Sequence, residues 1–216
     1  MSWVQHHLTS ASTWNQRFIF MLVGYALGCF TSGYYLVRLL AHKDIRLEGS
    51  GSVGARNVSR ILGTPGFLAV TFFDVAKGML AVWLAVHFTG DDQLAALAML
   101  AVTVGHIWPA QLKFHGGKGA ATSLGALLIY NWQVTMVFVA VCAILLLLLR
   151  KFTLSGLITF ALLPFFAMAM RQNPAIVVNI SILAGIVLFG HRKNLEEEFV
   201  QHFVRHREHS KPEEKI

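Results

Sequence analysis

Phe18-Ile19-Phe20-Met21-Leu22-Val23-Gly24-Tyr25-Ala26-Leu27-Gly28-Cys29-Phe30-Thr31-Ser32-Gly33-Tyr34-Tyr35-Leu36-Val37-Arg38-Leu39-Leu40 carries no charge before Arg38. A helix needs about 20 apolar residues to cross the hydrocarbon of a bilayer, and this run is long enough. It is too long for a signal-peptide core, and no small-x-small cleavage site follows it, so it reads as a retained first helix. Working outward, apolar runs recur at 66–89, 94–109, 120–131, 132–149, 153–170 and 174–190. The runs 94–109 and 120–131 are short, and only Asn131-Trp132-Gln133 separates the fourth from the fifth. The expectation is an all-α, polytopic membrane bundle of about seven helices.

Composition agrees. Of 216 residues, 55% are hydrophobic and 13% charged, where a soluble domain carries about 25% charged residues. Mean hydropathy is +0.57. Nothing is left over for a large soluble domain, so residues 1–194 read as one membrane domain and 195–216 as a short tail. In the tail Leu195, Phe199 and Phe203 recur every four residues, the spacing of an amphipathic helix lying on a membrane. His202 and His206 share that spacing but lack the further ligands of a metal site. Cys29 and Cys142 both sit in apolar runs and form no disulfide framework.

Charge placement supports an odd number of spans. With seven, every lysine and arginine among the 18 except Arg17, Lys77 and Arg171 falls on one side. The positive-inside rule makes that side cytoplasmic, with the N-terminus outside and the C-terminus inside. The net charge of +7 then sets topology and meets anionic lipid. No nucleic-acid recognition module fits between the spans.

Three polar clusters share this face. Residues 47–60 read Leu-Glu-Gly-Ser-Gly-Ser-Val-Gly-Ala-Arg-Asn-Val-Ser-Arg. Glycines let consecutive amides converge on an anion, Ser50 and Ser52 add hydroxyl donors, and Arg56 and Arg60 add charge suited to phosphate. Residues 105–122 contain Gly116-Gly117-Lys118-Gly119 leading straight into an apolar helical run, and a helix N-terminus beside a lysine is an anion site. The strand and spacing of a nucleotide P-loop are missing. Gly190-His191-Arg192-Lys193-Asn194 closes the last span with groups able to hold a phosphate, place a hydroxyl or exchange a proton. Taken singly these are a linker, a tight turn and a basic membrane flank. Together on one face, they point to a phosphate-bearing substrate.

The three clusters resemble the bacterial acyl-phosphate:glycerol-3-phosphate acyltransferases over about residues 24–194. That family's first motif, close to Gly-Ser-Gly-Asn-x-Gly-Ala-Thr-Asn-x-x-Arg-x-Leu-Gly, is matched by residues 49–63. Its Gly-His-x-x-Pro and Lys-Phe-x-Gly-Gly-Lys-Gly-x-Ala-Thr are matched within 105–122, and its His-Arg-Glu-Asn by His191 to Asn194. Asp74, Lys77 and Gly78 echo its second helix. The resemblance implies a bacterial inner-membrane enzyme, with its active site facing the cytoplasm, that moves a fatty acyl group from acyl phosphate to the 1-hydroxyl of glycerol 3-phosphate. The products are lysophosphatidic acid and phosphate, the first acylation of phospholipid synthesis. It implies no cofactor or metal, and no acyl-CoA or acyl carrier protein as direct donor; no obligate protein partner is evident. By position, Ser50, Arg60, Lys118, His191 and Asn194 are the catalytic candidates. Gly49, Gly51, Ser52, Asn57, Gly116, Gly117, Gly119 and Arg192 are the candidates for shaping the phosphate site. No Ser-His-Asp or Cys-His set is present, so direct attack by the substrate hydroxyl is expected, with His191 or a substrate phosphate as base.

Three residues depart from the pattern: Ser52 stands for Asn, Arg56 for Thr and Lys193 for Glu. Thr153-Leu154-Ser155-Gly156 keeps the family's serine-rich start of the sixth helix only in part. These changes leave open a diverged paralogue with another phosphorylated acceptor. Two other classes compete. A transporter or flippase would use Asp74 and Lys77 in the second span, though a structural ion pair fits them as well. A lipid-binding scaffold would tolerate substitution in the glycine-cation loops.

Overall fold

The computed structural model describes residues 14–194, all in helices, turns and loops; the tail expected at 195–216 lies outside the described residues. In chain order the helices are α1 Trp14–Cys29, α2 Ser32–Leu40, α3 Ala55–Thr89, α4 Asp92–Ile107, α5 Ala120–Tyr130, α6 Trp132–Leu149, α7 Phe152–Ala169 and α8 Pro174–Gly190. Single 3-10 turns at Ile45–Leu47 and Ala110–Leu112 lie in the two long loops. By length and composition five segments suffice to cross a membrane, with α1 and α2 counted as one, and α5 and α8 are shorter apolar helices. Phe18, Phe72, Leu147 and Leu148 point outward and are more than half exposed, as lipid-facing side chains must be.

Two expectations need correction. The run 18–40 is not one continuous helix: it breaks at Phe30 and Thr31. The break survives in an apolar setting because the Lys77 ammonium donates to the carbonyls of Phe30 (2.8 Å) and Gly28 (3.4 Å), replacing bonds a continuous helix would make. The second span starts at Ala55 rather than 66, and bends at Gly63 (φ 64°, ψ −159°) ahead of Pro65. Only glycine takes that conformation without strain, and proline suits the first turn of the resumed helix. The bend delivers Arg56 and Asn57, on the helix's first turn, to the loop beneath them.

α1 packs on α4, and α3 on both α4 and α5. Small residues make the approach possible. A Cβ on Gly28 would lie 2.3 Å from the Val102 carbonyl oxygen, one on Gly78 2.1 Å from that of Thr122, and one on Gly125 2.1 Å from that of Val75. Backbone cannot yield as a side-chain tip does, so Gly125→Ala forces α3 and α5 apart. The expected cost is about 1–3 kcal/mol, read as a lowered thermal midpoint in detergent. An unchanged midpoint would show that the contact is slack.

α5 has 11 residues and rises only about 16 Å, half the hydrocarbon thickness. It is held by neighbours: Leu127 belongs with Val82, Met99, Leu163 and Leu183 to the main buried cluster. Asn131 ends α5 and caps α6, its side-chain oxygen accepting from Val134 N at 3.0 Å, so the two runs are separate helices as expected. A second cluster, Val37, Ile45, Val53, Val58, Val70 and Leu112, lies under the long loops and anchors both.

Candidate functional site

The first loop is organised by Asn57, which is 3% exposed. Its side-chain NH2 faces the carbonyls of Glu48 (2.8 Å), Ser52 (2.9 Å) and Ile45 (3.2 Å), while its oxygen accepts from Ser50 N at 3.0 Å. One buried amide therefore holds Ser50 and Ser52 in a fixed turn, with Gly49 and Gly51 at positive φ (55° and 71°). Arg46 pairs with Asp44 at 2.6 Å and donates to the Leu112 carbonyl at 3.3 Å, tying this loop to the next. The guanidinium holds the Asp44 carboxyl below its usual pKa.

The second loop folds back on α4. Gly116 N donates to the Ile107 carbonyl (3.1 Å) and Gly117 N to that of His106 (3.0 Å), while Val53 N reaches the Gly116 carbonyl. A Cβ on Gly116 would fall 2.2 Å from the His106 carbonyl oxygen, and one on Gly117 2.0 Å from His106 Nε2. Gly119 (φ 87°) turns the chain into α5, and no side chain caps that helix start. Lys118, just ahead of it, meets the Asn194 side-chain oxygen, so the second and third clusters touch although 76 residues apart.

These loops roof a cavity of about 290 Å³. Its polar end holds Ser50, Ser52, Asn57, Lys118, Gly119, His191 and Asn194, with Arg56 at the rim. Its apolar wall is Phe67 and Val75 of α3, Leu124 of α5, and Phe152, Leu157 and Phe160 of α7. The first residues of α5, Ala120 and Ala121, also line it, so the amide end of that helix faces the space where an anion is favoured. The cavity suits a molecule with a phosphate at one end and a hydrocarbon chain at the other.

Not every candidate lines it. Gly49, Gly51, Gly116 and Gly117 shape the loops from behind. Arg60 is exposed and lies over Gly49, where a Cβ would meet its Nη1 at 2.6 Å. Arg192 is turned back on its own helix, donating to the Phe189 carbonyl at 3.2 Å with its guanidinium 4.6 Å from the Phe189 ring centre. Lys193 is exposed and does not line the cavity.

The floor was only partly legible in the sequence. Asp74 Oδ1 lies 2.9 Å from Lys77 Nζ, accepts from Ser32 Oγ at 3.4 Å, and stands 3.6 Å from His106 Nδ1. The spacing of Asp74 and Lys77, one helical turn apart, signalled the pair, and a structural ion pair is what forms. His106 is its unsignalled member, with Nδ1 2.7 Å from Lys77 Nζ. An ammonium can only donate, so Nδ1 accepts and the imidazole proton sits on Nε2, facing Gly117. Asp74 and His106 both line the cavity.

His191 is 8% exposed and its Nδ1 stands 2.9 Å from the Val187 carbonyl. Since a carbonyl only accepts, Nδ1 carries the proton and the neutral ring keeps an Nε2 lone pair. Burial, reinforced by the Lys118 charge, pushes its pKa below the usual value despite the opposing pull of the Val187 carbonyl.

A helical bundle with an apolar exterior and a cavity lined by both polar and apolar side chains defines the class: an integral membrane enzyme. The glycerol-3-phosphate acyltransferase family model matches residues 18–200, and the chain belongs to that family. It is 39% identical over 180 residues to glycerol-3-phosphate acyltransferase 1 of Desulfitobacterium hafniense, covering 83% of this chain and 89% of that one. To the glycerol-3-phosphate acyltransferase of Clostridioides difficile it is 34% identical over 183 residues, covering 82% and 89%. The crystal structure of PlsY, an integral membrane glycerol 3-phosphate acyltransferase, in its glycerol 3-phosphate form superposes with a TM-score of 0.79 at 27% identity, covering 86% of this chain and 92% of that one.

Proposed function

We propose that this chain transfers a fatty acyl group from acyl phosphate to the 1-hydroxyl of glycerol 3-phosphate at the cytoplasmic face of a bacterial inner membrane. The observation that carries the reading is the contact of Lys118 with Asn194 beside His191, at the polar end of a cavity whose other wall is apolar. Residues 1–194 act as one domain. The outward-facing N-terminus rests on the positive-inside distribution.

Lys118, the α5 amides, Ser50 and Ser52 hold phosphate, and the apolar wall takes the acyl chain. The hydroxyl oxygen attacks the acyl carbonyl carbon, the carbon–oxygen bond to phosphate breaks, and phosphate departs with the bonding pair. His191 Nε2 accepts the hydroxyl proton, and Asn194 orients that hydroxyl. Acyl phosphate is already activated, so positioning and charge stabilisation supply the rate. Arg60 and Arg192 act from the periphery as the chain stands, through the field they add to the mouth.

The test is phosphate release by purified protein in lipid, given palmitoyl phosphate with and without glycerol 3-phosphate. Acceptor-dependent release with lysophosphatidic acid formed supports the reading; well-folded protein with no such release removes it. His191 adds a pH signature. Its lowered pKa keeps the ring neutral at pH 7, so turnover is expected to hold from neutral pH down to the usual histidine range and to fall only below it, as the ring gains its proton. His191→Gln should remove that acid limb from whatever activity remains. An acid limb unchanged in the variant would belong to the substrate phosphate, and His191 would lose its role as base.

A further inference from the structure

Arg56 is a departure from the family pattern that stands at the cavity. It is exposed at the rim, on the first turn of α3, and its Nη1 donates to the Thr153 hydroxyl on the first turn of α7. α3 and α7 both contribute to the apolar wall, and this hydrogen bond crosses between residues 97 apart in sequence. Just inside the crossing, an added Cβ at Gly156 would meet nothing within 4 Å, so the space behind the bond is open. No carboxylate pairs with Arg56 among the described residues. A guanidinium offers five N–H donors in a fork that fits phosphate two at a time, and a neutral hydroxyl is a poor substitute for that partner.

We propose that Arg56 is an additional binding residue for the phosphate of the acyl donor, exchanging its hydrogen bond to Thr153 for the donor phosphate when the chain enters between α3 and α7. This inference rests on the acyl-phosphate reading above. The donor, rather than glycerol 3-phosphate, is the ligand because Thr153, the partner of Arg56, adjoins Phe152 of the apolar wall, so the guanidinium is held where polar end and wall meet. A membrane-borne chain ending in phosphate brings its charge to this point.

The experiment measures donor and acceptor KM for wild type, Arg56→Thr, Arg56→Lys and Thr153→Val. It also measures inhibition by hexadecyl phosphate, which carries the same ends but transfers nothing. Arg56→Thr restores the residue of the family pattern at an exposed site, so folding is not at risk. Its donor KM and the hexadecyl phosphate inhibition constant should both rise about ten-fold, the worth of one charge-assisted contact at a half-open rim. Arg56→Lys, with charge but no fork, should fall between. Thr153→Val removes the competing partner and should lower the donor KM about two-fold, a gain that a merely structural bond would not produce. If wild type transfers acyl groups but Arg56→Thr leaves both constants in place, or moves the acceptor KM instead, the Arg56 assignment is overturned. If wild type itself releases no acceptor-dependent phosphate, the acyl-phosphate reading is what fails.

Discussion

Lys118→Ala is expected to lower turnover at least about 100-fold while the protein remains folded. Removing one fixed donor from a site of developing charge costs that much in comparable oxyanion sites, and Lys118 does more than donate. Its ammonium is placed by the glycine turn before α5 and by Asn194 just beyond the last span, so it joins the loop to which the proposed mechanism gives phosphate with the cluster to which it gives the hydroxyl. The α5 amides remain in the variant, which predicts residual phosphate affinity and a loss concentrated in kcat rather than in KM alone. Lys118→Arg keeps the charge but not the compact ammonium, and should recover only part of the rate. Phosphate release and lysophosphatidic acid formation are the readouts, with the thermal midpoint in detergent as the folding control. Wild-type turnover in a folded Lys118→Ala protein would place the chemistry elsewhere in the cavity.

Lys77→Met is expected to destabilise the fold by about 3–5 kcal/mol, because it leaves its partner charge buried and unpaired. Lys77 and Asp74 have side chains only 5% and 4% exposed. Four groups lose the ammonium at once: the Asp74 carboxylate, which keeps only the Ser32 hydroxyl, His106 Nδ1, and the Gly28 and Phe30 carbonyls at the break between α1 and α2. The Asp74 and His106 side chains are each only 4% exposed, so little solvent can replace the ammonium. The double variant Asp74→Asn, Lys77→Met removes the stranded charge and should recover part of the loss, though not the part owed to the helix break. The fall of the thermal midpoint in the single variant, and its partial return in the double, is the measurement. Equal midpoints for wild type and Lys77→Met would show that the pair does not carry the fold here. This network also explains why a deep ion pair in a span does not by itself signal transport: its charges are consumed in closing a gap in the backbone.

His106 shows how partial the sequence reading of the site was. It is the histidine of the Gly-His-x-x-Pro motif, yet nothing in the order of residues ties it to Lys77 on another helix. The loop glycines were legible because positive φ and close backbone approach are local demands that few other residues meet. Arg60 and Arg192, by contrast, were placed beside Lys118 on charge and motif alone. Both are oriented by neighbours that motif spacing does not reveal, Gly49 in one case and Phe189 in the other.

The sequence by itself determined the seven apolar segments, the helical class, and the gathering of glycine and cation loops on one face. In hydrocarbon each segment must satisfy its own backbone, so composition over about 20 residues is enough to reveal a span, and charge, the Asp74–Lys77 pair apart, gathers in the loops and at the span ends. Only the tertiary structure decided where the first span breaks, where Gly63 bends α3, which cations reach the cavity, and that Arg56 meets Thr153. Those outcomes depend on contacts between side chains far apart in the chain, at separations of 47 to 97 residues for Lys77 with Phe30, Lys118 with Asn194, and Arg56 with Thr153. A local pattern of hydrophobicity places helices in the membrane, but helix packing at glycine contacts sets the depth and rotation of each. The chemistry of the site follows from that rotation.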